Sequence, residues 1–176
     1  MTSGLETGKL ICLAAGGTGG HVFPALAVAE QLKAEGHTTL LFTDRRGAPM
    51  VSGTPLTIIA GASPFQRGLL RRMRALVLLS GGVAKSVVQL IKRRPVVMIG
   101  FGGYPSFPPL LTAALLQIPT MVHEQNAYLG KANKILASRA GHLALSWQQT
   151  ANLPKNVNCF TGGMPVRQVF FKIKPK

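Results

Sequence analysis

Short, continuous apolar runs alternate along the chain with longer stretches whose apolar residues recur every three or four positions. The run over 9–15 is bounded by glycines and predicts a buried strand. Ala25, Val28, Ala29 and Leu32 then share one face of a helix expected to open at Pro24 and end at Gly36. Further strands are expected over 38–42, 56–60, 95–99, 120–123, 142–146 and 157–161. Helices are expected from Pro108 or Pro109 and over 129–138. Between 64 and 94, Leu69, Met73, Leu76 and Val77 have helical spacing, as do Ala84, Val87, Val88 and Ile91; Gly81-Gly82 is expected to separate the two pieces. Strands apolar on both faces and alternating with helices predict an α/β fold: a Rossmann-like parallel sheet with helices on both faces.

At 176 residues the chain is one ordinary domain, large enough to bury most of its unfolded surface. Residues 1–8 are expected to form a flexible tail. The start has neither the basic n-region nor the long apolar run of a signal peptide. The most apolar stretch, 105–122, is interrupted by four prolines, so no segment is expected to span a bilayer. Cys12 and Cys159 lie in apolar runs and are expected to be reduced core thiols.

Charge narrows the function further. Lys and Arg number 20 against five acids, giving a net charge of +15. So few carboxylates exclude a two-carboxylate glycosidase and an oxygen-liganded metal cage. A single aspartate excludes an Asp-x-Asp sugar transferase, and no zinc spacing exists; no metal or cofactor is expected. The basic excess calls for an anionic partner. Nucleic acid is disfavoured because aromatics make up only 6% and no RNA-module signature occurs. A membrane surface remains open. In the 64–94 segment, Leu69, Leu70, Met73 and Leu76 intersperse with Arg71, Arg72, Arg74 and Lys85, a pattern that suits an anionic interface or a core-packed helix with a solvated face.

Ligands of parallel sheets bind at the carboxyl ends of strands. Four unusual sequences fall there: Gly16-Gly17-Thr18-Gly19-Gly20-His21, Gly100-Phe101-Gly102-Gly103-Tyr104, His123-Glu124-Gln125-Asn126, and Gly163-Met164-Pro165-Val166-Arg167. The first lets a ligand approach the backbone and offers helix N-terminal amides to an anion, though it is neither a Walker A loop nor a dinucleotide fingerprint. His21 is a candidate base and Glu124 its rival or supporter. Tyr104 and Ser106 could hold a sugar or peptide. The forked donors of Arg167 suit a diphosphate.

Taken in order, these four sequences, with Asn133-Lys134-Ile135-Leu136-Ala137, resemble the MurG family of bacterial lipid-linked N-acetylglucosaminyltransferases over residues 9 to about 170. Met164 stands where that family usually has asparagine. The resemblance implies the N-terminal, acceptor-binding half of a GT-B glycosyltransferase over 9–167, with 168–176 beginning an interdomain linker. It implies inverting transfer of GlcNAc from UDP-GlcNAc to lipid I, giving lipid II, at the cytoplasmic face of the inner membrane. By that resemblance His21 and Glu124 are the catalytic candidates. Thr18, Gly19, Gly20, Asn126 and Arg167 would contact the donor; Gly102, Gly103, Tyr104, Ser106 and His123 would face the acceptor. The 69–76 stretch with Lys85 would dock on anionic lipid. The alternative reading is a non-catalytic, membrane-bound acceptor-binding subunit that recruits a separate donor-binding chain, or a decayed remnant of the enzyme.

Overall fold

The first apolar run forms β1 (Leu10–Ala14), which pairs in parallel with β2 (Thr38–Thr43) on one side and β4 (Val97–Gly100) on the other. β3 (Leu56–Ile58) extends the sheet beyond β2. β5 (Thr120–Glu124), β6 (His142–Leu145) and β7 (Cys159–Thr161) extend it beyond β4. This computed structural model describes residues 8–63, 65 and 67–172, and its seven strands are all parallel in the order β3-β2-β1-β4-β5-β6-β7. The strand order reverses between β1 and β4, which opens a crevice at their carboxyl ends.

Alternation along β1 divides the core. Ile11, Leu13 and Ala15 pack with Val22, Ala25 and Ala29 of α1 (Gly19–Ala34) on one face. Cys12 and Ala14 face Leu90 of α2 (Leu69–Arg93), Leu110 of α3 (Phe107–Leu115) and Leu136 of α4 (Lys131–Ala137) on the other. Helices thus cover both faces, as expected of strands buried on both sides.

Several boundaries differ from expectation. α1 begins at Gly19, five residues before Pro24, so the second half of the glycine loop is itself the first helical turn. β7 is shorter than expected and lies at the sheet edge, with Cys159 exposed rather than in the core; Cys12 is fully buried. α2 runs unbroken through Gly81-Gly82. A Cβ on Gly82 would lie 2.7 Å from the Ala60 carbonyl and 2.9 Å from Pro108 Cγ, whereas Gly81 faces open space. Gly82 therefore serves close packing of α2 against the β3 end and α3, not chain reversal.

α2 is long and apolar enough to cross a bilayer by length and composition alone. Ala75, Gly82, Ser86 and Leu90 commit one of its faces to the domain. Of the expected tail over 1–8, only Gly8 lies within the described residues. The start of the expected linker forms a 3-10 turn over Gln168–Lys172, and 173–176 lie outside the described residues.

Candidate functional site

The loops after β1 and β4 meet backbone to backbone at the crevice. Gly16 N donates to Gly102 O at 3.2 Å. Gly103 has φ +79°, and a Cβ there would lie 2.6 Å from Gly16 O. No other residue type can hold this approach and this dihedral together. Gly102, at φ +95°, forms a bed for the His21 ring, whose Cδ2 would lie 2.9 Å from a Cβ at that position. Thr18 Oγ1 and His21 Nδ1 are 3.1 Å apart and share a hydrogen bond that fixes the ring. Gly16, Thr18, His21 and Gly103 line a cleft of about 520 Å³ with Arg46, Gly61, Tyr104 and Pro105. Burial holds the His21 imidazole below its ordinary value; the Glu124 charge and a hydrogen bond to the Gly16 backbone pull the other way. A neutral imidazole at neutral pH can accept a proton.

Glu124, the last residue of β5, is 1% exposed. Its Oε1 accepts from Asn126 N (3.0 Å) and Asn126 Nδ2 (2.9 Å). Its Oε2 accepts from Gly130 N (3.1 Å) and Asn133 Nδ2 (2.9 Å). A carboxylate with four donors is structurally satisfied, and it ties the β5 end to the start of α4. The charge is also felt by both His21 and His123.

Two expected acceptor contacts are not open to a ligand. Ser106 is fully buried, and its hydroxyl donates to Gly103 O at 2.7 Å, closing the 3-10 turn over Tyr104–Ser106. His123 is buried, 5% exposed, with Nε2 3.2 Å from Gly163 O and 3.4 Å from Ser146 Oγ. Its burial lowers its pKa, against the Gly163 carbonyl and the Glu124 charge. Gly102 and Gly103 act in loop packing, as above, and Tyr104 lines the cleft.

Of the residues expected to contact a donor, Thr18 lines the cleft, while Gly19, Gly20 and Arg167 line a neighbouring apolar pocket of about 420 Å³ with Phe23, Met164 and Phe170. The Arg167 guanidinium lies 4.7 Å from the Phe23 ring centroid and 5.4 Å from that of Phe170. Its Nε is buried without a hydrogen-bond partner. Asn126 is exposed but spends its amide nitrogen on Glu124. On α2, Leu69, Leu70, Met73 and Leu76 are 74%, 83%, 54% and 56% exposed, and Arg71, Arg72, Arg74 and Lys85 are exposed beside them. Among the described residues no three His, Cys, Asp or Glu side chains cluster as a metal site.

Sequence reasoning passed over three residues that build the site. Asp44 follows β2 and is 8% exposed; its Oδ1 accepts from Gly17 N (3.1 Å) and Gly47 N (2.9 Å), and its Oδ2 from Arg46 Nε (3.0 Å). Burial pushes its pKa up, but the bonds from Gly47, Arg46 and Gly17 outweigh this and hold it below the ordinary value. Gln125 Nε2 donates to Phe101 O, linking the β5 and β4 loops. Asn133 anchors Glu124 from α4. The signal available for Asp44 was its place at a strand's carboxyl end in a chain with no other aspartate.

Comparison with known proteins agrees with this architecture. The glycosyltransferase family 28 N-terminal domain matches residues 11–144. The UDP-N-acetylglucosamine--N-acetylmuramyl-(pentapeptide) pyrophosphoryl-undecaprenol N-acetylglucosamine transferase of Rhodospirillum rubrum is 44% identical over 162 residues, covering 89% of this chain and 41% of that protein. The protein of the same name from Acidiphilium cryptum is 44% identical over 163 residues, covering 89% and 44%. The crystal structure of Acinetobacter baumannii MurG superposes with a TM-score of 0.76 at 28% identity, covering 96% of this chain and 47% of that one. The chain thus spans about two fifths of the length of these curated relatives. A UDP-GlcNAc 2-epimerase from Neisseria meningitidis, at 13% identity and a TM-score of 0.61, shares the fold alone.

Proposed function

The chain belongs to the glycosyltransferase family 28 N-terminal domain family, and on that premise we propose that it forms the acceptor-side half of an inverting GlcNAc transferase of peptidoglycan synthesis. The donor is UDP-GlcNAc and the acceptor is lipid I, a MurNAc-pentapeptide on undecaprenyl diphosphate; the product is lipid II. The observation that carries this reading is the crevice at the strand-order reversal, where two interlocked glycine loops present His21 to a cleft of about 520 Å³.

In this reading the 4-hydroxyl oxygen of MurNAc attacks the anomeric carbon as the bond from that carbon to the UDP oxygen breaks. The hydroxyl proton passes to His21. In the tautomer that carries its proton on Nδ1, the ring donates to Thr18 Oγ1 across the 3.1 Å contact and Nε2 is the proton acceptor. Glu124, with all its lone pairs engaged by donors, positions the β5–α4 turn and stabilises the imidazolium that forms; it is not the base. The amides at the start of α1 and Arg167 offset the charge developing on the diphosphate. Gly103, Tyr104 and Pro105, which line the cleft, face the acceptor sugar. The exposed leucines and arginines of α2 seat the domain on anionic lipid at the cytoplasmic face of the membrane.

Binding of a water-soluble lipid I analogue to this chain, read by calorimetry, tests the acceptor assignment. Saturable binding that weakens in Tyr104→Ala supports it, and no saturable binding in a folded preparation overturns it. Turnover is tested in a chimera that joins this chain to the remaining C-terminal part of the Rhodospirillum rubrum relative. His21→Ala is expected to cost about 10²-fold or more in that chimera if it is the base. Flotation with anionic but not neutral vesicles tests the membrane assignment.

A further inference from the structure

Beside the His21 cleft lies a second trough of about 580 Å³ between the ends of β2 and β3 and the middle of α2. Its floor is Ile58 to Gly61, Leu78 and Gly82, and its charged wall is Arg45, Arg46 and Lys85. Gly61 and Arg46 line both cavities, so the trough opens into the cleft. A third recess lined by Arg71, Arg74 and Leu78 continues toward the exposed leucines of α2.

Four features make this trough more than a solvated charged surface. First, its carboxylate is consumed: Asp44 accepts from two backbone amides and from Arg46 Nε. Among the described residues, the Asp44–Arg46 contact is the ion pair that touches this wall, and no carboxylate pairs with Arg45 or Lys85. Second, Arg46 is aimed. The buried Asp44 holds its Nε while the side chain stays 70% exposed, and a Cβ on Gly17 would lie 3.1 Å from Nη2. The terminal nitrogens thus stand over the first glycine loop with donors to spare, in the fork that matches phosphate oxygens. Third, several cations around one cavity exceed what a single carboxylate ligand requires and match a group of two or more negative charges. Fourth, the wall is continuous from His21 to an exposed apolar helix face.

We propose that this trough is a diphosphate-binding channel. Arg46 would grip the phosphoryl oxygens next to the cleft, Arg45 and Lys85 would neutralise the remaining charge, and the attached prenyl chain would leave along Leu78 toward the α2 leucines. The inference rests on the acceptor-side reading above and deepens it. It assigns Lys85 to ligand rather than to the bilayer, and it gives Asp44 the job of aiming Arg46.

The test is calorimetric titration of the full chain with inorganic pyrophosphate and, separately, with farnesyl diphosphate. Saturable binding is expected, weakened about tenfold or more in Arg46→Gln and in Lys85→Gln. It should be unchanged in Arg139→Gln, an exposed cation that lines none of these cavities. Near-UV circular dichroism checks folding, and Lys85→Gln carries the test if Arg46→Gln disturbs the Asp44 turn. Tighter binding of farnesyl diphosphate than of pyrophosphate assigns the ligand to a prenyl lipid; equal binding assigns it to a free diphosphate, and either supports the channel. Absence of saturation, or an equal loss in Arg139→Gln, overturns it. A chimera that transfers GlcNAc yet ignores pyrophosphate would sink the channel alone. A chain that binds pyrophosphate at these residues without binding the lipid I analogue would sink the acceptor reading alone.

Discussion

Glu124→Gln separates a structural carboxylate from a catalytic one. The wild-type oxygens each accept two hydrogen bonds. Glutamine keeps one acceptor oxygen and turns the other into a donor, which confronts two existing donors. Asn133 at the Oε2 position, or Asn126 at the Oε1 position, can relieve one conflict by turning its amide. One backbone amide, Gly130 N or Asn126 N, is then left without an acceptor. A buried donor stranded in this way costs about 1–3 kcal/mol. The net loss is about 2 kcal/mol, or about 4–8 °C in Tm for a domain of this size. Loss of the negative charge also removes the larger of the two influences that pull the His21 pKa up, so His21 should titrate still further below its ordinary value. Thermal melts and a proton NMR titration of the His21 ring read the two effects independently. An unchanged Tm and an unmoved His21, together with a hundredfold loss of turnover in the chimera, would refute the scaffold role and make Glu124 the base.

The adjacent glycines of α2 should respond oppositely: Gly81→Ala, in open space, gains about 0.5–1 kcal/mol by helix propensity, and Gly82→Ala, against Ala60 O and Pro108, loses about 1–3 kcal/mol, both read by chemical denaturation. His21 and His123 both have folded pKa values below the ordinary 6.5, so the unfolded chain binds protons that the folded chain resists. Stability is therefore expected to be flat above about pH 6.5 and to fall as pH drops below it, until the folded values are passed. His123→Gln should flatten this limb in a Tm-versus-pH series, and a wild-type profile that rises toward pH 5 would contradict it. One thiol, Cys159, should react with a disulfide reagent in the native state, while Cys12, whose pKa burial pushes up to about 12, reacts only after denaturation.

The sheet was legible because its strands announce themselves. β1, β4 and β6 are apolar on both faces, and only a sheet covered by helices on both sides accommodates such runs. What misled at α2 was local punctuation. A Gly-Gly pair inside a helical pattern usually marks a break, yet here it answers a tertiary demand: the space taken by Ala60 O and Pro108. Sequence separation hid that demand, since Gly82 meets residues more than twenty positions away on either side. Cys159 misled for a related reason. Its run is apolar, but β7 is the edge strand, and among the described residues nothing covers that face of it.

At the site, sequence marked the loops better than the tasks of the residues within them. Ser106 was read as an acceptor contact from its place in a Gly/Pro loop, and His123 from the family resemblance. Both turn inward, one to close a turn on Gly103 O and the other to hold Gly163 O. Polar residues in such loops have two competing calls on them, since a tightly folded turn leaves its own backbone carbonyls to satisfy before any ligand arrives. The same competition explains why Asp44 matters. It bonds Gly17 N across 27 residues, so the first glycine loop owes its shape to a carboxylate just past the end of the next strand. Glu124 does the same for the turn into α4. Two of the five acids in this chain are thus spent on holding loops that present neutral or cationic groups, His21 and Arg46, to one crevice. That allocation leaves the crevice positive and its His21 imidazole, with a pKa held below the ordinary value, uncharged at neutral pH. The proposed acceptor, which carries a diphosphate and a hydroxyl to deprotonate, would need both.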